Sequence, residues 1–160
     1  MPTQTYTPIA RQVLASATAT VTFSAIPSGY TDLVIQGSFA PTAGGVPFDL
    51  RFNGDTTTNY SVTRLENAGS NRSANLAYGE IGYTNGTNIQ AFTVQLQNYS
   101  NATTFKTYLA RSGDVGTAVY AIVGLWRKTP EAINTIAIRC NGSTFTAGST
   151  FTLYGIKAGS

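Results

Sequence analysis

The feature that most constrains this chain is its alternation with a period of two. Val21-Thr22-Phe23, Phe48-Asp49-Leu50-Arg51-Phe52 and Phe92-Thr93-Val94-Gln95-Leu96-Gln97 each set apolar against polar residues. Successive side chains of a strand point to opposite faces, so each segment presents one apolar face and one wet face. Runs with a helical period are nearly absent. Strands of this kind bury their apolar face only against another layer like themselves, which predicts an all-β chain. Leu33-Val34-Ile35 and the run from Ala118 to Trp126 are more continuously apolar. They read as strands covered on both faces, the second cover being an intersubunit contact.

Weaker strand candidates are Tyr60 to Leu65, Phe105 to Arg111, Ile133 to Cys140 and Phe151 to Ile156. Turn signals separate them: Pro27-Ser28-Gly29, Pro41 to Gly45, Asn53-Gly54-Asp55, Asn85-Gly86, Gly113-Asp114 and Asn141-Gly142. Spacing of this sort predicts an antiparallel jelly-roll β-sandwich of about eight strands. No linker or repeat divides the 160 residues, so a single domain over 1–160 is expected, with a short extended N-terminal arm at 1–9. Asn67 to Asn75, polar and rich in Gly and Ser, reads as an exposed loop able to carry contacts.

Charged residues make up 11% of the chain, against a usual share of about 25%. Their place is taken by Thr, Ser, Asn, Gln and Gly, which suit neutral strands and turns. Net charge is +3 from scattered basic residues, with no basic stripe, and so nucleic acid is not an expected partner. Six Asn-x-Ser/Thr triplets, at Asn59, Asn71, Asn85, Asn98, Asn101 and Asn141, reflect that composition. Neither a secretory leader nor an apolar run long enough to span a bilayer is present, which predicts synthesis in a cytoplasm and no membrane insertion.

Histidine is absent, which removes the commonest general base and metal ligand. Cys140 is the single cysteine; it alternates with Ile136 and Ile138 and reads as a small core residue. Serine and cysteine triads and Cys/His zinc sites are thereby excluded. Seven carboxylates (Asp32, Asp49, Asp55, Glu66, Glu80, Asp114 and Glu131) are dispersed and read as solvated charges rather than a catalytic pair. Asn53-Gly54-Asp55-Thr56 offers oxygen ligands for calcium but is foremost a tight turn. Glycines show no phosphate-cradling pattern. The chain is therefore expected to be no enzyme and to need no cofactor or metal.

Aromatic residues are the more informative set. Tyr6, Tyr30, Tyr60, Tyr78, Tyr83 and Tyr99 fall near turns or strand ends, where rings stack on sugars, fill a neighbour's pocket, or cap the sandwich with the hydroxyl in water. Trp126-Arg127-Lys128 closes the most apolar strand, and Trp126 is either an interface anchor or a core residue at a strand end.

Several stretches carry a family resemblance. These are Tyr6-Thr7-Pro8-Ile9-Ala10, the run from Val21 to Val34, Leu50 to Asp55 with Asn59-Tyr60-Ser61, Asn98 to Thr107, Val123 to Arg127, Ala132 to Ile136, and Phe145 to Lys157. Over nearly its whole length the chain resembles jelly-roll virion structural proteins of tailed bacteriophages, the decoration or tail-fibre-like modules of marine and freshwater phages. That resemblance implies a place on the virion surface. One expectation is a capsid decoration (cement) protein, a homo-oligomer (trimer) that clamps neighbouring copies of the major capsid protein. It is favoured by a domain that begins almost at Met1, without a fibre shaft. The other is a tail fibre or tail-tip protein that recognises host surface glycans. Candidate intersubunit contacts are Tyr6, Ile9, Tyr120, Trp126 and Arg127, with the arm from Met1 to Ile9. Candidate recognition contacts are Asn71, Arg72, Tyr78 and Tyr83.

Overall fold

The computed structural model describes residues 5–66, 69–116 and 118–157, and in them the alternating segments pair into two antiparallel sheets. The strands are β1 (Tyr6–Val13), β2 (Thr20–Phe23), β3 (Asp32–Phe39), β4 (Pro47–Phe52), β5 (Tyr60–Glu66), β6 (Gly69–Leu76), β7 (Gly79–Tyr83), β8 (Gln90–Gln97), β9 (Lys106–Asp114), β10 (Val119–Trp126), β11 (Ile136–Cys140) and β12 (Thr150–Ile156). The larger sheet runs β1-β12-β3-β8-β9-β10-β5-β6, and the smaller runs β2-β11-β4-β7.

Set aside β5, β6, β9 and β10, and the remaining strands divide into β1-β12-β3-β8 and β2-β11-β4-β7, successive strands changing sheet except at β4 and β7. Each early strand pairs with a late one, as in β1 with β12 and β2 with β11. That is the two-Greek-key winding of a jelly roll. The four other strands extend one sheet only. The larger sheet therefore overhangs the smaller, whose last strand, β7, packs against β9, β10 and β5.

The core follows from the alternation. Phe23, Leu33, Ile35, Leu50, Val94, Ile122, Ile138 and Leu153 all point between the sheets and are buried. Two aromatic clusters fill the ends. Phe39 meets Phe145 edge-on at 4.8 Å and Phe48 at 5.0 Å between centroids, while Phe52 meets Trp126 at 5.5 Å. Edge-to-face pairs of this geometry add about 0.5–1.5 kcal/mol each to the burial of the rings themselves. Cys140 is buried in the core, as its alternation predicts.

Three strands escaped the sequence reading. In β1, Pro8 lacks an N–H and the register slips between Pro8 and Ala10, which an edge strand tolerates. Residues 6–9 of the expected arm therefore belong to a strand, and residues 1–4 lie outside the described residues. The stretch read as a loop from Asn67 to Asn75 is largely β6, an edge strand. Most of its side chains are exposed, so it never developed an apolar phase; residues 67 and 68 lie outside the described residues. Strand β7 is short and carries two glycines, a composition that hides a strand. Conversely, Ile133 is buried although pairing in β11 begins only at Ile136.

Candidate functional site

Alternation divides β10 into Tyr120, Ile122, Gly124 and Trp126, which face the core, and Val119, Ala121, Val123 and Leu125, which face outward. The structure does not cover this second face: Val119 is 66% exposed and Val123 56%. Cross-strand register carries the patch onward. One row is Leu65, Ala121, Arg111 and Thr93; the next is Thr63, Val123, Leu109 and Gln95. Leu65 is 56% exposed and Leu109 39%. Small residues at Ala91, Gly113 and Ala121 leave the middle hollow. The result is an open groove of about 720 Å³ bordered by Leu65, Val119, Arg111 and Thr93.

A second hollow, of about 440 Å³, lies where the larger sheet overhangs β7. Arg64, Glu66 and Tyr120 supply one wall, and Tyr83, Thr84 and Asn85 supply the other. Arg64 Nη1 donates to Glu80 Oε1 at 2.6 Å, and Arg64 Nη2 lies 3.1 Å from Glu66 Oε1. Tyr83 donates its hydroxyl proton to the Gly45 carbonyl, and Thr84 Oγ1 donates to the Val46 carbonyl at 2.9 Å. These bonds fix the wall residues before anything binds.

The sequence-predicted residues scatter between these surfaces and the core. Trp126 is 1% exposed and donates Nε1–H to Asp55 Oδ2 at 2.6 Å, the core alternative of the two that the sequence left open. Its burial leaves a partner almost no surface to grip. Arg127 is exposed and donates to Asn75 Oδ1 at 3.0 Å. Tyr6 is 49% exposed at the β1 edge with its ring against Tyr154, and Ile9 packs on the core. Asn71 and Arg72 are exposed on β6, while Tyr78 sits between β6 and β7 under the Arg139 guanidinium. Only Tyr83 and Tyr120, predicted for different purposes, meet at one place, the overhang hollow.

Each carboxylate accepts hydrogen bonds from the protein. Asp49 is closed to solvent and takes a bidentate pair from Arg139 at 2.8 Å and 2.8 Å. Burial still pushes its carboxyl above the ordinary value, with Arg139 pulling the other way. For Asp55 burial also pushes upward, but bonds from Thr57, Asn59 and Trp126 outweigh it and hold the carboxyl at about 2. Both Asp55 oxygens are therefore spent on protein donors rather than held open in the Asn53-Gly54-Asp55 turn. Glu131 is drawn down by the Asn53 amide and by Lys128. Asp32 and Asp114 accept backbone N–H groups of Asn98 and Gly116. Among the described residues, no cluster of three or more potential ligand side chains surrounds a point where a metal would sit.

Sequence reasoning missed Arg64, Glu66 and Lys106. Lys106 is 1% exposed, with Nζ donating to the Thr104 carbonyl at 2.7 Å, and burial lowers its pKa. No local pattern marked these side chains, because it is the overhang and the sandwich end that give them their surroundings.

No protein-family model matches this sequence, and no curated protein does. Among solved structures, it is similar to a Caenorhabditis elegans galectin at 9% identity and a TM-score of 0.36, covering 92% of this chain and 96% of that one. A marine alginate lyase from Aplysia kurodai gives 8% identity and a TM-score of 0.34, with 82% and 70% covered. The CBM2 module of the evolved Dit of Lactobacillus casei BL23 phage J-1 gives 7% and 0.27, with 88% and 70% covered. Scores this low do not mark a shared topology, and they assign no activity.

Proposed function

We propose that this chain is a non-catalytic structural protein of a bacteriophage particle, a capsid decoration protein that joins its neighbours through the outer face of β8, β9, β10 and β5. The supporting observation is Val119, Val123, Leu65 and Leu109 standing exposed on three adjacent strands. The two register rows that hold the last three consist of aliphatic and neutral polar side chains with one cation, Arg111. Exposed aliphatic side chains clustered on one sheet face are what another protein surface covers. In this reading the chain is made in the host cytoplasm, assembles as a homo-oligomer, trimeric as the phage resemblance implies, and sits on the virion surface against the major capsid protein. A standard interface of this kind removes roughly 1,200–2,000 Å² from water.

Cryo-electron microscopy of particles carrying the chain tests this directly. Copies distributed over the icosahedral shell, contacting neighbours through β9 and β10, are the expected result. Copies confined to the tail would replace the cement role by a receptor-binding one, and a particle without the protein would end both.

A further inference from the structure

We infer that the hollow beneath the sheet overhang is a binding site for a neutral saccharide, with Glu66 and Asn85 as its hydrogen-bonding residues and Tyr83 and Tyr120 as its walls.

The inward face of the larger sheet is mostly apolar where the smaller sheet covers it, with Ser112, which donates to the Ile81 carbonyl, as an exception. Along β5 that face runs Tyr60, Val62, Arg64 and Glu66, changing from core to charge where cover ends at β7. A surface meant only to be wet has no need of ordering, yet this one is ordered. Arg64 is clamped between Glu80 and Glu66, Tyr83 is tied to Gly45, and Thr84 is tied to Val46. Arg64 Nε is also buried without a hydrogen-bond partner. Orphaned buried donors are rare, and a bound hydroxyl or water beside the group is the usual remedy.

Charge selects the ligand class. Two carboxylates hold one guanidinium, which leaves the cluster one negative charge in excess and repels anionic ligands. Glu66, 32% exposed at its side chain, keeps acceptor capacity for hydroxyl donors. Asn85, exposed on its turn, offers both a donor and an acceptor. Paired acceptors and donors between tyrosine walls match vicinal hydroxyls on a ring with apolar C–H faces. A volume of about 440 Å³ admits one or two sugar rings. Glu66 and Tyr120 border both this hollow and the open groove of the outer face, whereas Tyr83, Thr84 and Asn85 border this hollow and not that groove, so the response of these three separates the two readings.

The test is a 15N-HSQC titration of the full chain with glucose, galactose, mannose, N-acetylglucosamine and their disaccharides, with glucuronate and sialic acid as anionic controls. At least one neutral sugar should produce saturating shifts grouped at Arg64, Glu66, Thr84, Asn85 and Tyr120. Glu66→Gln should weaken that binding about tenfold or more, since a hydrogen bond to a charged group is lost. Asn85→Ala, on an exposed turn, should weaken it without disturbing the fold. Val123→Lys on the opposite face should leave the titration unchanged. The inference is overturned if no neutral sugar shifts these residues, if the anionic sugars bind as tightly, or if Glu66→Gln binds like the parent chain.

Discussion

Trp126 Nε1 donates to Asp55 Oδ2 across 2.6 Å inside the end of the sandwich, joining the last residue of β10 to the turn after β4. The bond lies among Thr57 and Asn59, which donate to the same carboxylate. A loop and an inserted hairpin strand are thereby fastened to each other through one ionised group.

Stability should therefore fall with acid in a window set by Asp55. Its carboxyl is near 2 when folded and near 3.8 when exposed, so the ionised form stabilises the fold fully above about pH 4, and this contribution is lost as pH falls toward 2. A shift of this size corresponds to about 2 kcal/mol. Urea midpoints at pH 5 and pH 2.5 should differ for the parent chain and differ much less for Asp55→Asn. Equal pH dependence in the two would show that other groups control acid unfolding.

The pair Asp49 and Arg139 should behave as a unit. Asp49 has no solvent contact, so Arg139→Leu strips a buried carboxylate of its bidentate guanidinium and leaves it only the Asn141 bond and the charge of Arg51, at a cost of up to about 3–5 kcal/mol. Replacing both by leucine removes the stranded charge as well, and the double variant should regain most of that loss. Denaturant melts of the two single variants and the double one close the cycle. Additive losses would contradict the coupling.

Gly124 faces Tyr108 across the β9–β10 ladder, and a Cβ at that position would stand 2.0 Å from the tyrosine ring. Tyr108 has no room to withdraw, because its hydroxyl donates to the Glu80 carbonyl at 2.8 Å and an added Cβ at Gly79 would meet it too. Gly124→Ala should thus cost about 2 kcal/mol or more through overpacking, read as a lower melting temperature. Ala121→Gly, on the outward face of the same strand, should cost less.

On that outward face the expectation reverses. Val123→Lys and Val119→Lys replace exposed side chains and should change stability by no more than about 0.5 kcal/mol. They should nonetheless abolish self-association in sedimentation velocity and binding to particles. A lysine variant that still assembles would move the interface elsewhere.

The chain's own pattern determined that it is all-β, which strands are amphipathic and which turns separate them. Period-two alternation is a property of neighbouring residues, so it survives without knowledge of the partner strand. Nine of the twelve strands among the described residues announce themselves by such alternation or by a short apolar run. Strands β1 and β6 do not, because their side chains are mostly exposed or half-buried, and β7 does not, because its buried positions are Gly79, Glu80, Ile81 and Gly82, with a single apolar side chain among them. Burial of Trp126 was open to two readings because the end of a strand borders both core and solvent. The continuous apolar run of β10 predicted two covered faces, but within the chain only one is covered, and Val119 and Val123 stand exposed on the other.

Tertiary structure alone decided the rest. That Arg64 and Glu66 border a cleft, that Tyr83 and Tyr120 meet there, and that Asp55 serves Trp126 all depend on which strands become neighbours. Those contacts join residues distant along the chain, and the unequal width of the two sheets places them. An overhang of the larger sheet past β7 is a property of neither sheet by itself, and no local run of residues encodes it.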